Sequence, residues 1–148
     1  MRFLLLLAAV ALLAVPADAQ PRRGGAPQQT LSVSDALATV AVNAGGSDRN
    51  AVPGSGCSGF INNGTPTAAV EVSGDGPLSI YATSGTDTTL LVSDPAGRWH
   101  CSDDANGSNP AVTFAQAAAG TYVVWVGTFS PDEAAGAQLS ATRGQPSW

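Results

Sequence analysis

One histidine, two cysteines and a group of acidic residues set the limits of what this 148-residue chain could do chemically. His100 is the only imidazole, so a Ser-His-Asp hydrolytic constellation would have to use it as its base. It stands between Trp99 and Cys101 in a run that alternates like a strand. There, an exposed residue beside a structural bridge is the plainer role. Gly74-Asp75-Gly76-Pro77 lacks the Ser that a Gly-Asp-Ser-Gly motif would present. The sequence holds no Gly-x-Ser-x-Gly elbow, no H-E-x-x-H pair and no P-loop. Without a complete catalytic set the chain reads as a non-enzyme, with a small secreted hydrolase working through His100 as the competing class.

The acids point to a different chemistry. Asp87, Asp94, Asp103 and Asp104, with Asn106 and Asn109, fall within 23 positions on predicted loops and strand ends around one hairpin. Carboxylate and amide oxygens that converge suit Ca²⁺, so these six residues form a candidate calcium site. Asp104-Ala105-Asn106-Gly107 copies part of an EF-hand loop but lacks its closing Glu. The alternative is that Asp87, Asp94 and Asn106 serve turns through side-chain to backbone hydrogen bonds.

The elements that would position these groups follow from composition and pattern. Seventeen Gly and ten Pro favour a loop-rich β domain over a helical bundle, and the length suits one domain. With charged residues at only 11% and a net charge of −5, no basic surface exists to hold a phosphate backbone, so nucleic acid is excluded as a partner. Met1-Arg2, the apolar run Phe3 to Val15 and Ala17-Asp18-Ala19 have the three regions of a secretory signal peptide, with cleavage expected after Ala19. That run falls short of the roughly 20 residues that span a bilayer, so no membrane segment is expected after cleavage. Removing residues 1 to 19 takes away Asp18 and Arg2 and leaves the net charge unchanged. A periplasmic or extracellular location follows, and in such an oxidising compartment an even pair of thiols implies a Cys57–Cys101 disulfide.

Residues 20–29, rich in Gln, Pro and Gly, read as a flexible leader. From residue 30 to 148 short apolar runs recur about every ten residues, the pattern of a β-sandwich. Strands are expected at residues 31–33, 39–42, 59–61, 68–72, 78–83, 88–93, 98–102, 111–115, 121–129 and 138–142. Tyr122 to Val126 is apolar on both faces, which calls for a central strand covered on both sides. Asp94-Pro95-Ala96-Gly97 has type I turn chemistry and should join two strands as a hairpin. Trp99 and Cys101 share a face, so Trp99 should pack beside the disulfide, leaving Arg98 and His100 outward.

Taken as a set, Gly56-Cys57-Ser58-Gly59-Phe60-Ile61, Asp87-Thr88-Thr89-Leu90, Asp94-Pro95-Ala96-Gly97, Cys101-Ser102-Asp103-Asp104, Asn109-Pro110 and Gly120-Thr121-Tyr122 through Trp125-Val126-Gly127 resemble a known pattern. It is that of the bacterial pre-peptidase C-terminal domains, and more closely of a small exported family with these motifs, over residues 44–142. The resemblance implies an all-β, jelly-roll-like antiparallel sandwich of eight to ten strands that accompanies secreted enzymes without being catalytic. Some relatives bind calcium or polymers, and members of this kind carry a serine-peptidase label by association. With no catalytic domain attached here, the resemblance implies an accessory or binding module for a protein or polymer ligand, and a monomer is expected. A structural envelope component whose sheet edges pair with other chains is a third reading.

Overall fold

The computed structural model describes residues 21–52 and 56–148. The expected signal peptide lies outside the described residues. Within them the chain forms eleven strands and no helix: β1 (Gln29–Val33), β2 (Ala38–Gly45), β3 (Asp48–Arg49), β4 (Phe60–Ile61), β5 (Ala68–Val72), β6 (Gly76–Ser84), β7 (Thr88–Ser93), β8 (Trp99–Ser102), β9 (Ala111–Ala117), β10 (Gly120–Thr128) and β11 (Ala134–Thr142). Each of the ten expected runs is a strand. The addition is the two-residue β3, too short and polar for any periodicity to announce it.

Two sheets face each other. In the first, β10 is central: β5 and then β1 lie on one side of it, β7 and then β8 on the other, and β4 with β3 pairs at its far end. The second runs β2-β11-β6-β9 and is antiparallel throughout. The pair β1–β5 is parallel, the one departure from the expected antiparallel sandwich.

Alternation along the strands builds the core between the sheets. Tyr122, Val124 and Val126 of β10, with Leu90 and Val92 of β7, meet Leu78, Ile80 and Ala82 of β6 and Leu139 of β11. The opposite face of β10 is also buried. There Trp125 joins Leu91, Ile61 and Val52 in a second cluster, with Cys57, Trp99, Cys101 and Val123 packed around it. Trp99 and Trp125 lie 5.6 Å apart, and Arg23 crosses the Trp99 ring at 4.6 Å, a cation–π contact. The central strand is therefore covered on both faces, and Trp99 lies beside the bridge as expected.

The described part of the leader makes defined contacts. Arg22 N–H donates to the Asn63 carbonyl at 2.8 Å and Gln28 N–H to the Pro66 carbonyl at 3.1 Å. Close approach of backbones also fixes a glycine: a Cβ on Gly127 would stand 2.3 Å from the Phe60 carbonyl oxygen, so only Gly lets β4 pair with β10 there.

The Cys57–Cys101 disulfide joins the segment before β4 to edge strand β8 across 44 residues. Closing a loop of that length restricts the unfolded chain by about 4 kcal/mol on the chain-entropy model. Replacing both cysteines with Ser should lower the unfolding free energy in urea by about 3 to 4 kcal/mol, with a native-like far-ultraviolet spectrum retained at low denaturant. A loss below about 1 kcal/mol would show that the bridge does not hold the second cluster in place.

Candidate functional site

The chain's titratable chemistry gathers at the turn between β7 and β8. Asp94 begins it: Gly97 N–H returns to the Asp94 carbonyl at 2.8 Å, and Gly97 takes φ +81°, where a side chain would be strained and would also meet the Arg23 guanidinium. The Asp94 residue is only 4% exposed. Its Oδ1 accepts from the Arg98 backbone N–H at 2.9 Å, and its Oδ2 from Arg98 Nε at 2.7 Å and His100 Nε2 at 3.1 Å. Burial pushes this carboxyl up, but the Arg98 amide, the His100 ring and the Arg98 guanidinium together outweigh it and hold the pKa below its ordinary value of 3.8.

His100 does not point outward with Arg98, which corrects the expectation for its orientation. Sharing a face with Val92 and not with Cys101, it turns toward the seam between the sheets, where its ring meets Phe114 of β9 edge-on at 4.8 Å. Phe114 in turn stacks edge-on against Tyr122 at 5.3 Å. Burial pushes the Tyr122 phenol up, and the Asp94 charge adds to that. The reason for the reversal is the second cluster: with the disulfide side of the sheet itself covered, the other side of β8 is the interior one. The side chain of His100 is 31% exposed, against 74% for Arg98.

This arrangement braces an edge. The Asp94 carboxylate accepts from Nε2 of the His100 ring. Among the described residues no Ser, Thr or Cys hydrogen-bonds to His100, so an Asp-His couple exists without a nucleophile. A recess of about 370 Å³ beside Asn43, Thr83 and Gln138, and one of about 350 Å³ beside Gly46 and Asp132, lie elsewhere and include neither His100 nor Asp94.

The six candidate calcium ligands are not brought to one centre. Asp94 is committed to Arg98 and His100. The Asn109 side-chain oxygen accepts the Ser84 N–H at 2.9 Å, and its backbone pairs with Asn106 across a tight turn. Asp87 uses its carbonyl to accept the Phe129 N–H at 3.1 Å. Among the described residues no group of three or more His, Cys, Asp or Glu could hold a metal ion, so Asp87, Asp103 and Asp104 do not complete a cage with Asp94. Asp94, Asn106 and Asn109 are engaged in turns and backbone pairing.

Sequence reasoning missed three members of the site. Phe114 and Tyr122 were legible only as apolar strand residues, and Arg23 sits in a segment whose composition gave no sign of a docked guanidinium.

No family model matches this chain, and no curated protein matches it. Among solved structures it is similar to the pre-peptidase C-terminal domain of a collagenase from Bacillus anthracis, with a TM-score of 0.51 and 15% identity over 83% of this chain and 100% of that domain. It is also similar to PliG of Aeromonas hydrophila, a periplasmic inhibitor of g-type lysozyme, with a TM-score of 0.43 and 13% identity over 80% of this chain and 96% of that one. The second is too distant to argue from. The first shows that the fold implied by the ordered motifs, a pre-peptidase C-terminal type of sandwich, is the fold this chain adopts.

Because the folded-state pKa of Asp94 is lowered, the stability it contributes is complete above pH 3.8 and is lost as pH falls below that value. Asp94→Asn should cost about 2 kcal/mol at pH 7 in urea unfolding, since it removes charge-assisted hydrogen bonds to a buried group. The gap between variant and wild type should narrow on acidification toward pH 3. An equal gap at both pH values would mean that the carboxylate charge plays no part in holding the turn.

Proposed function

We propose that this chain is an exported, non-catalytic binding module. The observation that carries the reading is the state of its single acid-base couple: both oxygens of Asp94 and one ring nitrogen of His100 are spent on closing the β7–β8 turn. An Asp-His couple becomes a catalytic base only beside a nucleophile, and among the described residues no Ser or Thr hydroxyl hydrogen-bonds to the ring, which packs against Phe114. Export is supported by the signal-like residues 1–19 and by a disulfide that ties down the second cluster. A fold shared with a domain found within a collagenase fits an accessory role.

Binding would fall to the outer face of the four-stranded sheet. The corresponding face of the other sheet is taken up by the second cluster and the segment that covers it. None of β2, β11, β6 and β9 contains a charged residue. Ser79 and Tyr81 on their outer side are covered by Gly144, Ser147 and Trp148, and the rest of that side carries Thr39, Asn43, Gln138, Thr83 and Thr113, a surface of amides and hydroxyls suited to an uncharged protein or polymer surface. Hydroxyl pairs such as Thr39 with Ser140, at 3.0 Å, already satisfy part of it.

A panel of peptide and ester substrates tests the reading. Wild type and His100→Ala should turn over every substrate at the same rate as buffer; activity present in wild type and absent from the variant would replace the binding reading with a hydrolase. The reading does not need calcium. A melting temperature in excess CaCl₂ within about 1 °C of that in EDTA is expected, whereas a rise that grows with calcium concentration by mass action would restore a cation site.

A further inference from the structure

We infer that the open edge of β2 is a docking groove for an extended segment of another protein, one that sets a Lys or Arg against Asp132 and Glu133. The groove is separate from the outer sheet face named above. Strand β2 pairs with β11 along one side, and along its other side no strand takes up its alternate N–H and C=O groups. Such an edge is a template for one more strand.

A trough runs beside that edge. One recess of about 230 Å³ is lined by Ala41, Val42 and Asn43 of β2, with Gln28 and Gln29 across from them. A second, of about 350 Å³, takes over at Asn43 and continues past Gly45 to Ser47, again opposite Gln28. Consecutive residues of a strand point to opposite faces, so a hollow bordered by every residue from 41 to 47 follows the backbone edge and not a face. At about 3.3 Å per residue the trough is about 20 Å long, which suits an extended segment of about six residues. Its far wall is tied elsewhere: Gln28 N–H donates to the Pro66 carbonyl at 3.1 Å and Gln29 N–H to the Thr67 carbonyl at 3.2 Å.

Charge selects the occupant. Asp132 and Glu133 line the larger recess, and Asp132 N–H donates to the Gly46 carbonyl at 3.2 Å, which holds it at the end of β2. Among the described residues neither carboxylate is in an ion pair, and no Arg lines either recess. Asp48, just past Ser47, adds a third acid at this end, while the adjoining Arg49 is laid over the Phe60 ring. Asp35 precedes the strand at its other end, and β2 itself carries no charge. A second copy of this chain brings the same acids, no Lys and a net charge of −5, so it is repelled. A strand with a neutral middle and basic ends matches the edge in both charge and hydrogen bonding. A free metal ion or amine would neutralise the recess and leave the backbone row of β2 unused.

Fluorescence anisotropy with a labelled Lys-Thr-Val-Thr-Val-Thr-Val-Lys peptide reads the result, with a dissociation constant of about 100 μM expected in low salt. Two control peptides separate the contributions. One carries Glu in place of both Lys; the other keeps both Lys but has Pro at every position between them, which removes the strand N–H groups. Neither should bind up to about 1 mM. Asp132→Asn with Glu133→Gln should weaken the first peptide about fivefold, and Asn is at ease at the Asp132 φ of +55°, so the fold is kept. If the double variant fails to fold, each single variant makes the same test. Amide hydrogen exchange at residues 38–45 should slow when the first peptide is present. Absence of binding, equal binding of either control, an unchanged affinity in the variants, or protection that spares residues 38–45 overturns the inference. None of these outcomes touches the hydrolase screen, so the two readings fail separately.

Discussion

Strand β10 is apolar on both faces, and a two-sheet sandwich buries only one of them. Tyr122, Val124 and Val126 fill the space between the sheets, so Val123 and Trp125 must find cover on the far side. The chain supplies that cover with the segment leading into β4, held by the Cys57–Cys101 bond, and with Arg23 laid over Trp99. A central strand with one polar face would need neither the bridge nor the docked leader. Much of what distinguishes this domain from a plain sandwich answers that single requirement.

The same requirement settles the fate of the only imidazole. Trp99 and Cys101 must lie with Trp125, and period-two alternation then commits His100 to the seam, where Phe114 and Asp94 are waiting. A residue type often associated with catalysis becomes a tie between the β7–β8 turn and the second sheet. Charge is sorted as well: Asp94 and Arg98 meet at the β7–β8 turn of the first sheet, and the four strands of the second sheet carry no charged residue.

The strands were legible because alternation and Gly, Pro and Asn breaks are local signals, and the Asp94 turn was legible because its residues fit one turn type. The disulfide followed from compartment and parity. What was not legible is direction. Alternation tells which residues share a face but not which face is interior, and on a strand covered from both sides that distinction vanishes; hence His100 was placed in solvent. Closeness in sequence also grouped Asp94 with Asp103, whereas Asp94 answers to its own hairpin through Arg98 and His100. Arg23 could not be found at all, since a cation–π contact from a Gln- and Pro-rich segment leaves no local pattern.

Strand β11 is the last in sequence yet sits inside its sheet, paired with β2 on one side and β6 on the other. The Thr39–Ser140 hydroxyl contact closes a separation of 101 residues. Until residues 134–142 emerge, β2 has no neighbour in its sheet, and β6 and β9 form only a two-stranded pair. Assembly of the second sheet therefore waits on residues 134–142, a non-local closure of the kind that slows folding.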